Sequence, residues 1–482
     1  MFKRILFPAL LFALTLTLNA CGGGSSSPAT GDVAVVLTDG PTDQYERMLV
    51  TMASMTLIGP GGHVELYDGP EVTFDLLQMS EWADLAFTTQ VQAGSYNKIR
   101  LELSKVELID LADSNNNVVL SKLPANGKID LNPRGPFEVS PDFTTVIKLD
   151  IDANRSFQVV ETGNKKLQLR PIIFVDVYQD KLYLPERLLR IAGDVQVGSI
   201  TGEATADLAD DSFRLCNLQF ISQSSGPSLG SNGDCVRVYA DSATSFFDEM
   251  GDATDFLAIT EGEPLTAVGF IADTGDAEAI LGLNAAVLEL GPRETDSVDG
   301  WNTRQGIVAY DPVSCDTTDL CFNFALAGTD PIETVPTRMR PETRVFRADG
   351  VELSQADVST DDTGSVDAVL NGAELQAALL VLSTDVGGSI LSGTLDGVSG
   401  SNPYVLSVMS DAGGLFNVCA NPDTTVILQV LVVDEAVTLF DLLDPNTLTI
   451  GSAVEVFGNT VALPIGCDIN AEEIIVEVPP AI

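Results

Sequence analysis

A unit that occurs three times in residues 191–482 constrains the fold of this chain more than any other sequence feature. The segment VYADSATSF at 238–246 aligns without gaps on VCANPDTTV at 418–426. The segment MRPETRV at 339–345 fits the same pattern when two residues are omitted. Each unit ends in an apolar strand pattern that contains alanine: LNAAVLEL, LQAALLVL or INAEEIIVEV. A spacing of about 90 residues is too long for a solenoid repeat and indicates separate folding units in series, like beads.

Glycines flank a second strand pattern in each unit. Gly262 and Gly269 enclose the first copy. Gly451 and Gly458 enclose the third copy with the same spacing, and the second copy, at 364–372, is one residue longer. Glycine in a strand permits the sharp bend of a barrel corner or bulge, and a closed barrel leaves no sheet edge open to aggregation. We therefore predict that each unit is a small β-barrel. The three barrels cover residues 191–292, 301–384 and 388–480.

Residues 32–187 have the pattern of a β-sandwich. Ile99, Leu101 and Leu103 alternate with charged residues, as in a strand with one buried face, and the same alternation recurs in TTVIKLDID. The run 76–87 is the one stretch with a weak helical pattern. Several short strands at this spacing favour an antiparallel sandwich, so the whole chain is predicted to be all-β.

The predicted sandwich resembles a known family in three segments. These are LTDGP after the first strand, AGSYNKIRLEL with Gly94, Tyr96 and Arg100, and the closing LQLRPIIFV with Pro171. They are similar to the bacterial lipoprotein domain of unknown function 4382 (DUF4382). The resemblance implies a β-sandwich of the cell envelope and brings no known activity. Through their glycine signature, the three repeated units resemble the DUF5666 family of small envelope barrels.

Residues 1–20 have the pattern of a signal peptide. A positive start precedes an uncharged apolar core that is shorter than the span of about 20 apolar residues needed to cross a membrane. The ending from Leu18 to Cys21 resembles the bacterial lipobox, where a peptidase cuts before a cysteine that then carries lipid. We therefore predict lipid attachment at Cys21 and a flexible Gly/Ser linker over residues 21–31. By the same resemblance, Gly22 implies sorting to the outer membrane.

Six further cysteines lie in the repeated region, two in each unit. An even number of cysteines in an exported chain indicates disulfides, and six thiols permit 15 pairings. Because each predicted unit holds two cysteines, we expect pairing within the units. The expected disulfides are Cys216–Cys235, Cys315–Cys321 and Cys419–Cys467. A zinc site is disfavoured, because thiolate sites take further cysteine or histidine ligands and the chain has a single histidine.

The chain is strongly acidic, with 69 acidic and 25 basic side chains and a net charge of −44. This charge excludes nucleic-acid binding, because lysine and arginine supply most of the affinity for phosphates. The bases of residues 191–482 are all arginine, which indicates two regions of different origin. Since 45% of the residues are hydrophobic, the chain can build a core and is not disordered.

The sequence contains no convincing catalytic constellation. His63 follows a Gly-Gly turn on an expected exposed hairpin, and no Gly-x-Ser-x-Gly elbow accompanies it. Ser95 and Lys98 match Ser-x-x-Lys by chance, because the companion motifs of penicillin-binding enzymes are missing. Glycine-rich phosphate motifs are missing as well, so we expect no cofactor. The chain is therefore predicted not to be an enzyme.

Carboxylates leave two alternatives open. A glycoside hydrolase needs two acids about 5 to 9.5 Å apart, and the sequence nominates no such pair, since doublets such as Asp361–Asp362 are typical of turns. Loose calcium binding is the other alternative, although the Asp-x-Asp-x-Asp-Gly spacing is not met. The candidate calcium ligands are Asp110, Asp113, Asp273, Asp276 and Glu278. The sequence leaves metal binding undecided.

Four of the eight arginines in the repeated region lie within ten positions, at Arg338, Arg340, Arg344 and Arg347. Arg338 and Arg340 share one strand face, which favours a patch that binds an acidic partner or an anionic glycan. The alternative is that the four arginines pair with neighbouring acids of the chain.

These patterns favour a non-catalytic protein that is exported and anchored by its N-terminal lipid to the outer membrane. It would serve as an interaction or scaffold module for an envelope protein or a glycan. The alternatives are a carboxylate-based polysaccharide hydrolase and a calcium-dependent adhesion or carbohydrate-binding protein. The partner, the exposed face of the membrane and the oligomeric state are not predicted.

Overall fold

The computed structural model places strands and short 3₁₀ helices from residue 29 to residue 478. It describes residues 29–39, 45–79, 82–110, 117–120, 123–141, 143–152, 156–160, 166–169, 171–178, 188–196, 212–219, 221, 223–225, 235–272, 279–293, 300–326, 333–383, 391–422, 424–433, 436–442, 444–460 and 466–478. The predicted all-β fold is confirmed. The predicted signal peptide, Cys21 and residues 22–28 of the predicted linker lie outside the described residues. The predicted end of the linker at residue 31 is wrong, because Thr30 and Gly31 already pair with the strand Ala83–Gln92 as the start of the first strand.

The first unit is a sandwich of two sheets. Its strands are β1 (Thr30–Asp39), β2 (Tyr45–Gly59), β3 (Gly62–Tyr67), β4 (Val72–Asp75), β5 (Ala83–Gln92), β6 (Gly94–Tyr96), β7 (Lys98–Asp110), β8 (Asn117–Val119), β9 (Lys128–Asn132), β10 (Phe137–Val139), β11 (Thr145–Ile151), β12 (Phe157–Val160), β13 (Lys166–Leu169) and β14 (Ile173–Tyr178). Its 3₁₀ helices are Leu76–Met79 and Pro124–Gly127. One sheet has the order β14-β11-β1-β5 and the other β4-β2-β7-β9. Apolar side chains of both sheets, such as Val35 and Leu101, form one core.

The alternation predicted for β7 is confirmed, because Ile99 and Leu101 are fully buried. The sandwich departs from a purely antiparallel arrangement, since β1 and β11 run parallel. The helical pattern of the run 76–87 is misleading. This run forms the 3₁₀ helix Leu76–Met79 and then enters β5, because its consecutive apolar residues are nearly all buried and do not line one helix face.

The second region contains three barrels. The strands of the first repeated unit are β15 (Leu189–Gln196), β16 (Ser212–Gln219), β17 (Gln223–Ser225), β18 (Cys235–Tyr239), β19 (Ser245–Phe247), β20 (Pro264–Ala272) and β21 (Leu281–Leu290), of which β17 pairs with β4 of the sandwich and not with a strand of the barrel. Those of the second are β22 (Trp301–Val308), β23 (Val313–Ser314), β24 (Leu320–Leu326), β25 (Thr334–Arg347), β26 (Glu352–Leu353), β27 (Thr363–Asn371) and β28 (Glu374–Leu382). Those of the third are β29 (Leu391–Gly400), β30 (Tyr404–Ser410), β31 (Leu415–Ala420), β32 (Val426–Val433), β33 (Ala436–Asp441), β34 (Ala453–Asn459) and β35 (Ile469–Val478). Their 3₁₀ helices are Phe256–Ala258, Gln355–Asp357 and Pro445–Thr447.

Each barrel closes through the same order of five strands. In the first barrel β15, β16, β18, β21 and β20 follow one another, and β20 returns to β15. The second barrel has the order β22, β24, β25, β28, β27, and the third has β29, β30, β31, β35, β34. One pairing in each closed ring is parallel. This is the Greek-key order of the five-stranded OB-type barrel, a fold that supports many functions and identifies none.

An equivalent threonine links two strands in each barrel. Its hydroxyl donates to an alanine carbonyl of the last strand and accepts from a backbone N–H just before it in the chain. The threonines are Thr244, Thr343 and Thr425, and the alanines are Ala285, Ala377 and Ala471. These residues lie in the two sequence patterns that recur, so the three units share this hydrogen bond. In the third unit the threonine lies one residue later than the alignment without gaps predicts.

The glycine alignment holds for two of the three barrels. Gly269 and Gly458 lie at bulges, where a Cβ would come within 2.0 and 2.2 Å of a backbone oxygen. In the second barrel the corresponding bulge lies at Ala368. Gly372, the glycine aligned with them in the sequence, lies in a turn with a φ of 67°. Gly372 is therefore not the structural equivalent of Gly269 and Gly458, and the glycine alignment of the second copy was wrong.

The barrels do not follow the sandwich as beads in series, which corrects that prediction. The first barrel continues one sheet of the sandwich through the pairing of β15 with β5. The third barrel continues the other sheet through the parallel pairing of β33 with β9. Leu428, Leu439 and Ile475 of the third barrel lie in the core of the sandwich. The third barrel therefore packs against the N-terminal sandwich.

Candidate functional site, a buried ion cluster between three units

Arg190 and Asp84 lie side by side where the sandwich meets the first barrel. They are in register because β15 and β5 pair in parallel there. Arg190 Nε and Nη2 donate to the two carboxylate oxygens of Asp84 at 3.0 and 3.2 Å. The exposed fractions of the two side chains are 0% and 1%. A contact through two parallel hydrogen bonds fixes the distance and the orientation of its partners.

Arg293 joins the first barrel to the second. It follows β21, and its Nη2 donates to Glu289 at 2.5 Å and to Asp367 of β27 at 2.6 Å. Thr303 of β22 donates to Asp367 at 2.5 Å and accepts from Arg293 Nη1 at 2.9 Å. Arg190 Nη1 lies 3.7 Å from Asp367 Oδ1, so the two arginine contacts form one group. We call the following five residues the junction cluster: Arg190, Arg293, Asp84, Glu289 and Asp367.

Both tryptophans of the chain lie beside the junction cluster. The guanidinium carbon of Arg190 is 4.4 Å from the centre of the Trp82 ring, and Trp301 packs edge-on against Phe247 with 6.3 Å between ring centres. Each indole N–H donates to a backbone carbonyl. Both rings are fully buried in an apolar core to which the sandwich and two barrels contribute. The junction cluster is therefore shielded from solvent by an apolar core.

Three carboxylates and two guanidiniums meet in this buried site. Burial and, secondly, the nearby carboxylate of Asp367 raise the pKa of Glu289 to about 8, against the attraction of Arg293. Burial also acts on Asp367, but the positive charges of Arg293 and Arg190 outweigh it and hold the pKa of that carboxyl below its usual range. At neutral pH one protonated acid, two carboxylates and two guanidiniums leave the junction cluster without net charge.

A protonated acid beside a carboxylate is also the pair of groups that general acid–base catalysis uses. The side chains of the junction cluster are at most 7% exposed, however, so a polymeric substrate cannot reach them in this arrangement. Structural ion networks perturb pKa values as catalytic sites do. A buried ion network is better suited to fixing an arrangement than to adding net stability. The chemistry that this site supports is the attachment of three units in one orientation.

Sequence reasoning missed the junction cluster. Arg190 stands in the apolar run LLRIAGDV, and Arg293 follows the strand LNAAVLEL within three residues. Each is one of very few bases close to or inside the repeated region, and a base inside an apolar run is a signal for a buried ion pair. The three acids come from strands far apart in the sequence, so no local pattern connects them to these arginines.

The four arginines predicted as an anionic-partner patch are occupied by acids of the chain. The pairs are Arg338 with Asp319 and Glu374, Arg340 with Asp252, Arg344 with Glu352, and Arg347 with Asp349. Arg340 and Arg344 also bridge the second barrel to the first, since they donate to Asp252 and to the carbonyl of Ala243. The alternative of pairing with neighbouring acids describes these residues, and the structure does not support the patch.

The three predicted disulfides are present. They are Cys216–Cys235, Cys315–Cys321 and Cys419–Cys467, and each closes within one barrel. They separate their cysteines by 19, 6 and 48 residues along the chain. Each barrel is therefore stabilised by one local crosslink, as the repeat boundaries predict.

The other candidate residues do not come together. His63 is exposed beside the turn between β2 and β3, and Lys98 contacts Asp130 at 2.9 Å. Asp113, Asp273, Asp276 and Glu278 lie outside the described residues. Within the described ranges, no three histidine, cysteine or acidic side chains are grouped so that they could hold a metal ion. Those ranges also contain no helix with the length and apolar character needed to cross a bilayer.

Comparison with known proteins identifies the first unit. Residues 30–171 match the model of the family "Domain of unknown function (DUF4382)", so the predicted DUF4382 domain is confirmed for the sandwich. The chain has no match among curated proteins. A solved structure titled "drosophila Unr CSD456" is 10% identical over 60% of this chain and 94% of that chain, with a TM-score of 0.17. At that TM-score the likeness supports no inference about this chain.

Proposed function

We propose that this chain is a non-catalytic, lipid-anchored protein of the bacterial envelope that acts as an interaction or scaffold module. The junction cluster is the observation that carries this proposal. Its five charged side chains are buried where three units meet, and their ion pairs connect those units. A scaffold requires a fixed arrangement of its units. A hydrolase would instead require acids that its substrate can reach.

The envelope address rests on the N-terminal sequence and on the family of the sandwich. The lipobox-like ending before Cys21 supports lipid attachment, and Gly22 supports sorting to the outer membrane. Three disulfides agree with an oxidising compartment. We further propose that the three barrels are relatives of the DUF5666 barrels, supported by their five-stranded closure and by the glycines at two of the three bulges.

The second barrel offers the surface to probe for a partner. Ile307, Tyr310 and Val313 have exposed fractions of 44%, 65% and 63%. Ile307 and Val313 lie on the same face, because they pair with two positions of β24 that are an even number of residues apart. Their partners on β24 are four residues apart, so the two side chains mark the ends of a strip about 13 Å long. We assign the partner contact, with an envelope protein, to this strip.

The anchor is tested by metabolic labelling with a fatty-acid analogue and by separation of inner and outer membranes. Wild-type chain should carry the label and sediment with the outer membrane. Cys21→Ala should remain uncleaved or become soluble, without label. Cys315→Ala with Cys321→Ala is the matched control, because it also removes cysteines and should keep the label. Equal labelling of wild type and Cys21→Ala would refute the anchor.

The partner surface is tested by photocrosslinking in living cells. A photoreactive amino acid replaces Tyr310 in one strain and His63, which is exposed on the sandwich, in another. A discrete crosslinked product at 310 but not at 63 supports a protein partner at the second barrel. Absence of a product at 310 together with release of sugars from envelope polysaccharide by the purified chain would favour the hydrolase instead.

A further inference from the structure

Glu289 is the member of the junction cluster whose charge is not matched. Its Oε2 accepts from Arg293 at 2.5 Å, whereas its Oε1 has no hydrogen-bond partner among the residues that the structure describes. Asp84 and Asp367 together balance the two arginines. A third ionised carboxylate would be an uncompensated charge in a site with 0% exposure, and a buried charge without compensation is very costly.

Among the described residues around Glu289, Arg293 and Arg190 are the positive charges that act on its carboxyl. Its neighbours in register on β20 and β19 are Thr266 and Phe247, which are uncharged. From its own segment it faces Arg293, and from β27 it faces the like charge of Asp367. Arg190 on β15 acts on it from a greater distance and is already bound to Asp84 of β5. The missing charge must therefore come from solvent, and a proton is the smallest ion that can supply it.

We propose that the junction cluster is a proton-dependent clasp: it closes on the sandwich and two barrels with one proton on the Glu289 carboxyl, and it loosens as that proton leaves. The inference does not depend on the lipid anchor or on a partner. It assigns to the chain a response to alkaline conditions at one defined place.

The direction of the effect follows from the two states of Glu289. In the closed junction its pKa is raised to about 8, and in an opened junction it returns towards its ordinary value of 4.5. Between these values the closed state binds one proton more than the open state. The opening equilibrium constant therefore rises about tenfold per pH unit as the pH approaches 8, and it becomes constant above that pH. Acid conditions keep the clasp closed.

The test compares the full-length wild-type chain with Glu289→Gln in a non-ionic detergent. Urea unfolding of the junction is followed by tryptophan fluorescence, because both tryptophans lie beside the junction cluster. Glutamine keeps the size of the protonated acid and cannot ionise. The ratio of the wild-type opening constant to that of the variant should rise about tenfold per unit from about pH 6 to about pH 8. It should then level off before tyrosines begin to ionise near pH 10.

Asp367→Asn provides a second, independent comparison. It removes one carboxylate, so Glu289 becomes the counterion of Arg293 and no stored proton is needed. The rise of the opening constant between about pH 6 and about pH 8 should disappear in this variant as well. A ratio that is independent of pH for Glu289→Gln would overturn the proposal. The proposal would also be overturned if the opening constant of Asp367→Asn rose between about pH 6 and about pH 8 as it does in wild type. This second comparison tests the proposal even if Glu289→Gln fails to fold.

Discussion

Two of the long-range contacts between described residues of different units are built differently. The junction cluster joins the sandwich to the first two barrels through Arg190 and Arg293, whose exposed fractions are 0% and 7%. The second contact, which we call the return contact, joins the sandwich to the third barrel. There Arg134, whose side chain is 29% exposed, donates to Asp441 at 2.7 Å. Asn132 donates to the carbonyl of Leu439 at 2.9 Å.

The difference lies in how much water each contact keeps. At the return contact the arginine can hydrate when its partner is lost, and strand pairing between β33 and β9 carries much of the attachment. At the junction cluster five ionisable groups depend on one another, because water cannot replace a missing member. A partly exposed ion pair contributes little, whereas breaking a buried one is costly. The junction is therefore the less tolerant of the two contacts.

Among the substitutions that compare the two contacts, Arg293→Met should lower the free energy of unfolding most. In this variant the buried carboxylate of Asp367 keeps the hydrogen bond from Thr303 but has only the more distant Arg190 as a positive partner. Loss of one partner from a buried pair costs about 3 to 5 kcal/mol. We expect the free energy of unfolding to fall by about 4 kcal/mol at pH 7. Urea unfolding followed by tryptophan fluorescence measures the change.

Arg134→Met is the matched control at the return contact. The same substitution should cost only about 1 kcal/mol there, measured by circular dichroism, because the pair is partly hydrated. Equal losses in the two variants would show that the junction has no special dependence on its charges.

Removal of the disulfide of the third barrel should separate the two contacts. For cysteines separated by 48 positions, the chain-entropy model gives a loss of about 4 kcal/mol for Cys419→Ala with Cys467→Ala, as an upper estimate. The third barrel should then unfold first and release the return contact. Tryptophan fluorescence at the junction should persist to higher urea concentrations. Cys315→Ala with Cys321→Ala, whose cysteines are separated by 6 positions, should cost about 2 kcal/mol.

A single cooperative transition in the Cys419→Ala, Cys467→Ala chain, with tryptophan and dichroism signals lost together, would contradict this order. It would mean that the return contact and the junction stabilise each other through the sandwich. The two contacts would then be one cooperative unit, in spite of their different chemistry.

The parts of the fold that repeat could be predicted from the sequence, because repetition shows each local requirement more than once. Thr244, Thr343 and Thr425 lie in the segments that recur, and each makes the same hydrogen bond. The alignment without gaps placed Thr424 opposite Thr244, so it was wrong by one residue at this point. The disulfides followed from two cysteines per unit. The exception is instructive: Ala368 takes the bulge position of Gly269 and Gly458, so an alignment of glycines misplaced one strand by several residues.

The contacts between units could not be predicted, because each occurs once and joins residues far apart in the chain. Asn132 and Leu439 are 307 residues apart, and Arg190 and Asp84 are 106 apart. Alternation and turn chemistry specify which face of a strand is buried, but not which unit covers it. A prediction of beads in series was the consequence. The buried arginine in LLRIAGDV was the one local sign of such a contact.

Asp441→Asn should have the smallest effect and the opposite sign. Burial raises the pKa of Asp441 to about 6, helped by the negative charge of Asp176, while Arg134 lowers it. The ordinary value is 3.8, so the stabilising effect of the protonated form is present below that pH and is lost as the pH rises through about 6. At neutral pH Asp441 is therefore ionised in an unfavourable place, unlike Glu289, which keeps its proton.

We expect the asparagine variant to be more stable than wild type by about 1 kcal/mol at pH 7.5, since loss of the contact with Arg134 offsets part of the gain. Thermal unfolding at several pH values measures this difference, which should grow between about pH 4 and about pH 6 and then stay constant. A variant that is less stable than wild type at pH 7.5 would show that the ion pair with Arg134 is worth more than the burial of its carboxylate costs, and the return contact would then rank with the junction cluster as a charge-dependent attachment.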